Sequence, residues 1–185
     1  GAKSMPSHEI KSATLGKVQV VISRLGDDAA SFVGEARSQK DSLIASSCLH
    51  GAAMLYYEDG KDSDMMSALQ EIDEKHPDSP YAPEYYRWKI RYYLGQKKPN
   101  YKDAKSVAQK YGDASRTRSW SRAYEYDAAY WEKRIDRASG KMSPEGFTRA
   151  LTDLISKTSS SAPFVADVAR ADLADSYRAE KKYTE

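Results

Sequence analysis

The chain of 185 residues has a single cysteine, Cys48, so no internal disulfide can staple its fold. The neighbours of Cys48 in ASSCLHGAA are small and mostly apolar, the setting of a packing thiol more than of a nucleophile. No apolar run approaches the roughly 20 residues that a membrane-spanning helix requires, and no signal peptide is visible. Together these leave the compartment open. Runs of alternating β-branched residues are nearly missing; VQVVI is the one instance, and it sits inside a longer helical pattern, so the chain reads as all-α. His8, His50 and His76 are scattered without metal-ligand spacing, and there is no Gly-rich phosphate loop, nucleophile elbow or Cys/His cluster. No cofactor, metal or catalytic residue is expected. Phenylalanine is scarce, at three against 14 tyrosines. A tyrosine buries its ring while the hydroxyl stays wet or hydrogen-bonded, which suits thin two-layer structures with little deep interior.

Helical spacing dominates what is present. The expected helices cover roughly 8–24, 28–38, 41–58, 63–75, 82–95, 101–111, 116–138, 144–158 and 163–182. The breaks between them have mechanisms. Gly26 stops one helix and Asp27 or Asp28 caps the next; Gly60 is followed by Asp62 or Ser63 as a cap. HPDSPYAPEYY has three prolines, of which Pro80 and Pro83 favour a turn and then a helix start. Gly112 is expected to end a helix, with Asp113 or Ser115 capping its successor. Gly140 is expected to end another, followed by Ser143 as cap and Pro144 at the first helical position. The first five residues, GAKSM, read as a cloning remnant. The closing YRAEKKYTE stops in helix-forming sequence without a stop signal, and the expectation is a fragment of a longer protein.

Every second helix opens alike, with a large apolar residue, two others and an alanine: Met65 and Ala68, Tyr101 and Ala104, Phe147 and Ala150. Tyr183 stands where a fourth copy would begin, and SFVGEA reads as a degenerate earlier one. A further packing residue follows four positions after each alanine, at Ile72, Ala108 and Leu154, and bulky aromatic pairs precede the openers at Tyr56–Tyr57, Tyr92–Tyr93 and Tyr130–Trp131. These features, with the HPDSPYA turn, resemble the tetratricopeptide (TPR) family of helix-pair repeats over roughly residues 41–185. The turn is similar to inter-repeat turns of bacterial TPR proteins. The resemblance implies one TPR-like domain over 6–185, a right-handed α-α superhelix of about four and a half helix pairs. The tripeptide His76-Pro77-Asp78 also occurs between two helices of J-domains, but after a basic helix; here ALQEIDEK precedes it, and an inter-repeat turn explains it.

Charge is unevenly spread. Between Glu58 and Glu84 nine acids face two lysines, a net of −7; between Arg87 and Arg122 eleven cations face two acids, a net of +9. The aromatic-basic stretch YYRWKIRYY lies at the start of the basic segment. On a helix, Tyr81, Tyr85, Trp88 and Tyr92 form one stripe and Tyr86, Ile90 and Tyr93 an adjoining one, so both read as buried seams. That disfavours a nucleic-acid platform, because single-strand binders usually present stacking rings on a sheet or in a groove. Arg87 and Arg91 occupy the polar strip of that helix, and Arg118 and Arg122 the strip of the next. In a TPR-like array such strips line the concave groove. The four arginines are therefore the expected binding residues for an acidic peptide or protein, since the guanidinium fork suits carboxylates. Lys102, Lys105 and Lys110 are expected on an outer face. Asp127 and Arg134, on the apolar face of 116–138, are expected to make buried polar contacts between helices. The expected function is a non-catalytic protein-interaction or scaffold module. The alternatives are a helical accessory segment of a larger bacterial enzyme or envelope protein, or nucleic-acid binding through 87–122.

Overall fold

The structure, a computed structural model, describes Leu25 and residues 27–179. The expected helix 8–24 and the repeat opener at Tyr183 lie outside the described residues. Among the described residues the chain is all-helical, with eight helices and no strand. They are α1 (Ala29–Ser38), α2 (Ser42–Glu58), α3 (Asp62–Lys75), α4 (Ala82–Leu94), α5 (Tyr101–Thr117), α6 (Ala123–Ala138), α7 (Pro144–Thr158) and α8 (Pro163–Ala179). None of these is long and apolar enough to cross a membrane. The chain divides into two compact units, one up to Tyr85 and one from Tyr86 onward.

Local chemistry sets most helix ends. The Asp28 carboxylate accepts from the Ala30 and Ser31 amides and starts α1; Asp41 does the same for α2 from Leu43 and Ile44. Asn100 accepts from Asp103 at 3.1 Å to start α5. Ser143 accepts from Gly146 at 3.0 Å, with Pro144 opening α7. Gly60 and Gly140 take left-handed φ of 69° and 75° after α2 and α6, where a side chain would be strained. Before α3 the cap position falls on Lys61, without a side-chain cap bond, rather than on Asp62 or Ser63.

One expected break is absent. Gly112 does not end a helix; α5 runs on through it to Thr117, and α6 begins only at Ala123. Gly112 is buried, and a Cβ built on it would lie 3.8 Å from that of Ala128. That distance, like the 3.5 Å to Arg116 Nη1, is ordinary van der Waals contact, and Gly112 does not take the left-handed φ of Gly60 and Gly140, so the helix continues through it. Ser115 caps nothing; its hydroxyl donates back to the Gly112 carbonyl at 2.9 Å. The chain turns instead at Arg118, whose backbone is extended.

The first unit packs α2 against both α1 and α3. Its core is Phe32, Ile44, Leu49, Leu69 and Ile72, with Cys48 fully buried among them. Burial, helped by Glu35, pushes the Cys48 thiol up and keeps it protonated, as a packing residue should be. The HPDS turn is tied back onto α2 twice. Ser42 and the His76 ring share a hydrogen bond of 2.9 Å, and Ser79 donates to Ser46 at 2.8 Å in a buried position. His50 stacks on Tyr81 with ring centroids 4.5 Å apart.

Burial lowers the pKa of His50, against the pull of Glu84, and lowers that of His76, against Glu71. A histidine depressed in the folded state is protonated more readily when unfolded. Its stabilising effect is complete above the unfolded value of 6.5 and declines as pH falls below it towards the folded value. Urea unfolding of the protein should therefore give a lower midpoint at about pH 5.5 than at about pH 7.5, and His50→Gln should flatten that slope. Equal slopes for the two proteins would rule His50 out as a source.

The second unit packs α6 against α5, α7 and α8, with α7 also on α8. Tyr111, Ile90, Ile135, Leu151 and Val165 are its fully buried large side chains. The repeat positions lie largely inside the two units: Met65, Ala68 and Ile72 in the first, and Ala104, Ala108, Phe147 and Leu154 in the second, are buried.

Candidate functional site

The four arginines expected on two exposed strips have four different settings. Arg87 is not on an open strip. Its side chain is only 18% exposed, and Nε donates to Asp127 Oδ2 at 2.6 Å. Its guanidinium also lies 5.1 Å from the Phe164 ring centre and 5.5 Å from that of Tyr124. The second donor to the same Oδ2 is the Tyr111 hydroxyl, at 2.7 Å. Burial, reinforced by the Asp127 charge, pushes the Tyr111 phenol well above its ordinary range, so it stays a donor. Asp127 thus makes the buried inter-helix contact expected of it, and Arg87 is its counter-ion.

Arg118 and Arg122 do not share a helix strip, because the helix that would carry them starts later than expected. Arg118 closes α5, and its guanidinium lies 5.0 Å from the Trp120 ring and 6.0 Å from Tyr86. Arg122 is the exposed residue before α6, 5.9 Å from the Tyr126 ring. Tyr86 stacks on Tyr111 at 5.2 Å, with Trp120 edge-on to both at 6.0 and 6.1 Å. The buried row of α4 is therefore Ala82, Tyr86 and Ile90. Tyr92, expected in a seam, is 51% exposed, because burial follows the i+4 row through Tyr86 and leaves the Tyr92 stripe on the flank.

Arg91 lines a cleft. It is exposed and meets no carboxylate among the described residues; instead it lies over Trp88 at 5.3 Å and over Trp131 at 5.6 Å. Trp131 is buried and carries a second guanidinium, that of Arg134, at 5.4 Å. Arg91, Arg134 and Trp131, with Leu94, Tyr101 and Ala138, enclose an open cleft of about 440 Å³. Two like charges supported on one indole converge there. Cation–π contact steadies each without neutralising it; Arg91 has no carboxylate partner among the described residues, and Arg134 has Asp172 at 3.6 Å.

Arg134 departs from its expected buried role. Its side chain is 46% exposed, with Asp172 at 3.6 Å, beyond hydrogen-bond length, and the Tyr130 hydroxyl at 3.3 Å. Asp172 accepts instead from Tyr130 at 2.8 Å, and burial together with that bond raises the Tyr130 phenol well above normal. Arg134 lies two turns beyond Asp127 on the same face of α6, but in the last turns, where that face opens. It also borders a neighbouring hollow of about 630 Å³ with Arg137, Phe147, Asp172 and Ser176. The sequence reading did not single out Trp131 and Arg134 as lining the cleft with Arg91. The available signal was their i, i+3 spacing, which places them on one helix surface.

Lys105 is also not on a free outer face. It bonds Asp136 at 2.8 Å and Glu132 at 3.1 Å, tying α5 to α6. Burial opposes its charge, but those two carboxylates prevail and raise its pKa. Among the described residues no group of three or more His, Cys, Asp or Glu side chains is placed to hold a metal ion. No protein-family model, curated protein or solved structure matches this chain.

Proposed function

We propose that the chain is a non-catalytic, TPR-like protein-interaction module that takes an acidic peptide segment of a partner. The observation that carries this is the cleft in which Arg91 and Arg134 rest on Trp131, Arg91 with no carboxylate partner among the described residues and Arg134 with only the distant Asp172 at 3.6 Å. A carboxylate seated between the forks would replace water with charge-assisted bonds, while Leu94 and Tyr101 offer surface for an adjoining apolar side chain. Several observations support the right-handed TPR-like superhelix. The small residues Ala104 and Ala108 are buried at their repeat positions, and α6 contacts α8 as well as α7. Stacked helix pairs need that next-but-one contact to bury a continuous core.

The nucleic-acid reading of 87–122 is weakened by pairing: Arg87, Lys105 and Arg116 each bond a carboxylate within the unit. The binding site on this reading shifts from the four arginines to Arg91 with Arg134. A fluorescein-labelled peptide of alternating glutamate and phenylalanine should bind and raise the anisotropy, whereas its lysine counterpart should not. The Arg91→Glu/Arg134→Glu double variant should weaken that binding by about tenfold or more, with loss of its salt dependence. Equal binding of both peptides, or no effect of the double variant, would exclude the cleft as the site.

A further inference from the structure

The chain itself carries a segment with the chemistry this cleft would take. The turn from α2 to α3, Tyr57 to Asp64, presents Glu58, Asp59, Asp62 and Asp64, all exposed, against the single cation Lys61. Tyr57 beside them is 50% exposed, one of the few large apolar side chains so placed. The turn is stiff. The Gly60 amide bonds the Tyr57 carbonyl at 3.0 Å and the Lys61 amide bonds the Tyr56 carbonyl at 2.8 Å, around the left-handed Gly60. A pre-formed acidic turn with a ring at its base loses little freedom on docking.

We infer that the occupant of the Arg91–Trp131–Arg134 cleft is the Tyr57–Asp64 turn of a second copy of this chain. The inference rests on the acidic-segment reading above and names its partner. Charge complementarity argues for it: one surface carries two exposed arginines whose sole carboxylate partner among the described residues is Asp172, 3.6 Å from Arg134, and another carries four exposed acids opposed by one lysine. Tyr57 supplies the aromatic group that Leu94 and Tyr101 can cover. Turn and cleft are different surfaces, so a pair joined by one such contact still offers one free turn and one free cleft. Such contacts build rings or open chains, or a closed two-fold dimer when each copy's turn fills the other's cleft.

The test is sedimentation velocity of the whole chain at low salt with two charge-reversed variants, Arg91→Glu/Arg134→Glu and Glu58→Arg/Asp59→Arg. The second pair lies at the C-terminal end of α2, where cations suit the helix dipole and folding should be preserved. The wild type should grow in mass with concentration and dissociate as salt rises. Each variant alone should self-associate about tenfold or more weakly. A mixture of the two should recover association. The cleft variant retains a wild-type turn and the turn variant a wild-type cleft, so together they form a complementary pair, and their two reversed surfaces are again opposite in charge. Recovery of that pair also shows that both variants are folded. A wild type that stays monomeric while binding the acidic peptide overturns the self-docking and leaves the acidic-segment reading standing. A wild type that neither associates nor takes the peptide overturns both. Variants that associate like wild type, or that fail to pair when mixed, overturn the assignment of these two surfaces.

Discussion

Replacing Asp127 by alanine should destabilise the protein by about 3–5 kcal/mol, the range for removing one partner of a buried ion pair. Asp127 is 4% exposed and accepts from both Arg87 and Tyr111. Its removal leaves the Arg87 charge in a largely enclosed site without that carboxylate, and the Tyr111 hydroxyl without its acceptor in a fully buried position. Tyr111→Phe removes only one donor and should cost about 1.5–3 kcal/mol, as for a hydrogen bond to a charged group. The triple replacement Arg87→Met, Asp127→Leu and Tyr111→Phe should recover most of the loss, because desolvation of the charges disappears together with their attraction. Urea unfolding measures all three. An Asp127→Ala protein within about 1 kcal/mol of wild type would show that the ion pair is not closed to solvent.

Gly51→Ala should destabilise the first unit by about 1–3 kcal/mol, the usual cost of overpacking. A Cβ on Gly51 would stand 2.8 and 2.9 Å from two atoms of the Phe32 ring. Phe32 is 4% exposed, so its ring has little room to give, and α1 must move off α2. The same substitution at Gly34 should do the reverse. Gly34 is exposed in the middle of α1 with nothing within 4 Å of an added Cβ, so alanine there should stabilise by about 0.5–1 kcal/mol through helix propensity. Opposite signs in urea unfolding of these two Gly→Ala proteins would confirm the close crossing at Phe32. Phe32→Leu combined with Gly51→Ala should recover part of the lost stability, and the absence of any recovery would place the strain elsewhere.

How far the site was legible depended on whether one helix or two were needed to define it. The capping carboxylate of Asp28 and the Ser143-Pro144 start were readable because a helix start is a contest among adjacent residues. Gly112 was misread because glycine stops a helix when it takes left-handed φ, as Gly60 and Gly140 do, and Gly112 keeps helical backbone instead. That one displaced boundary removed Arg118 and Arg122 from the strip on which they were expected. Arg87 and Arg91 are four residues apart on one helix and have the same formal charge. One is held by Asp127 and the other lies over two indoles, a difference that no pattern within α4 contains.

By itself the sequence determined the all-helical class, most helix boundaries, two of the three recurring Ala positions as buried, Ala68 and Ala104 but not Ala150, and the separation of acidic from basic segments. These follow from periodicity, capping and composition, which act over a few residues along the chain. Tertiary structure alone decided which cations are neutralised and which remain available, which stripe of α4 is buried, and that Trp131 supports two arginines at a cleft. Those outcomes depend on which side chain of another helix arrives within a few ångströms. Coulombic and desolvation energies change steeply over that distance, and sequence separation says nothing about it.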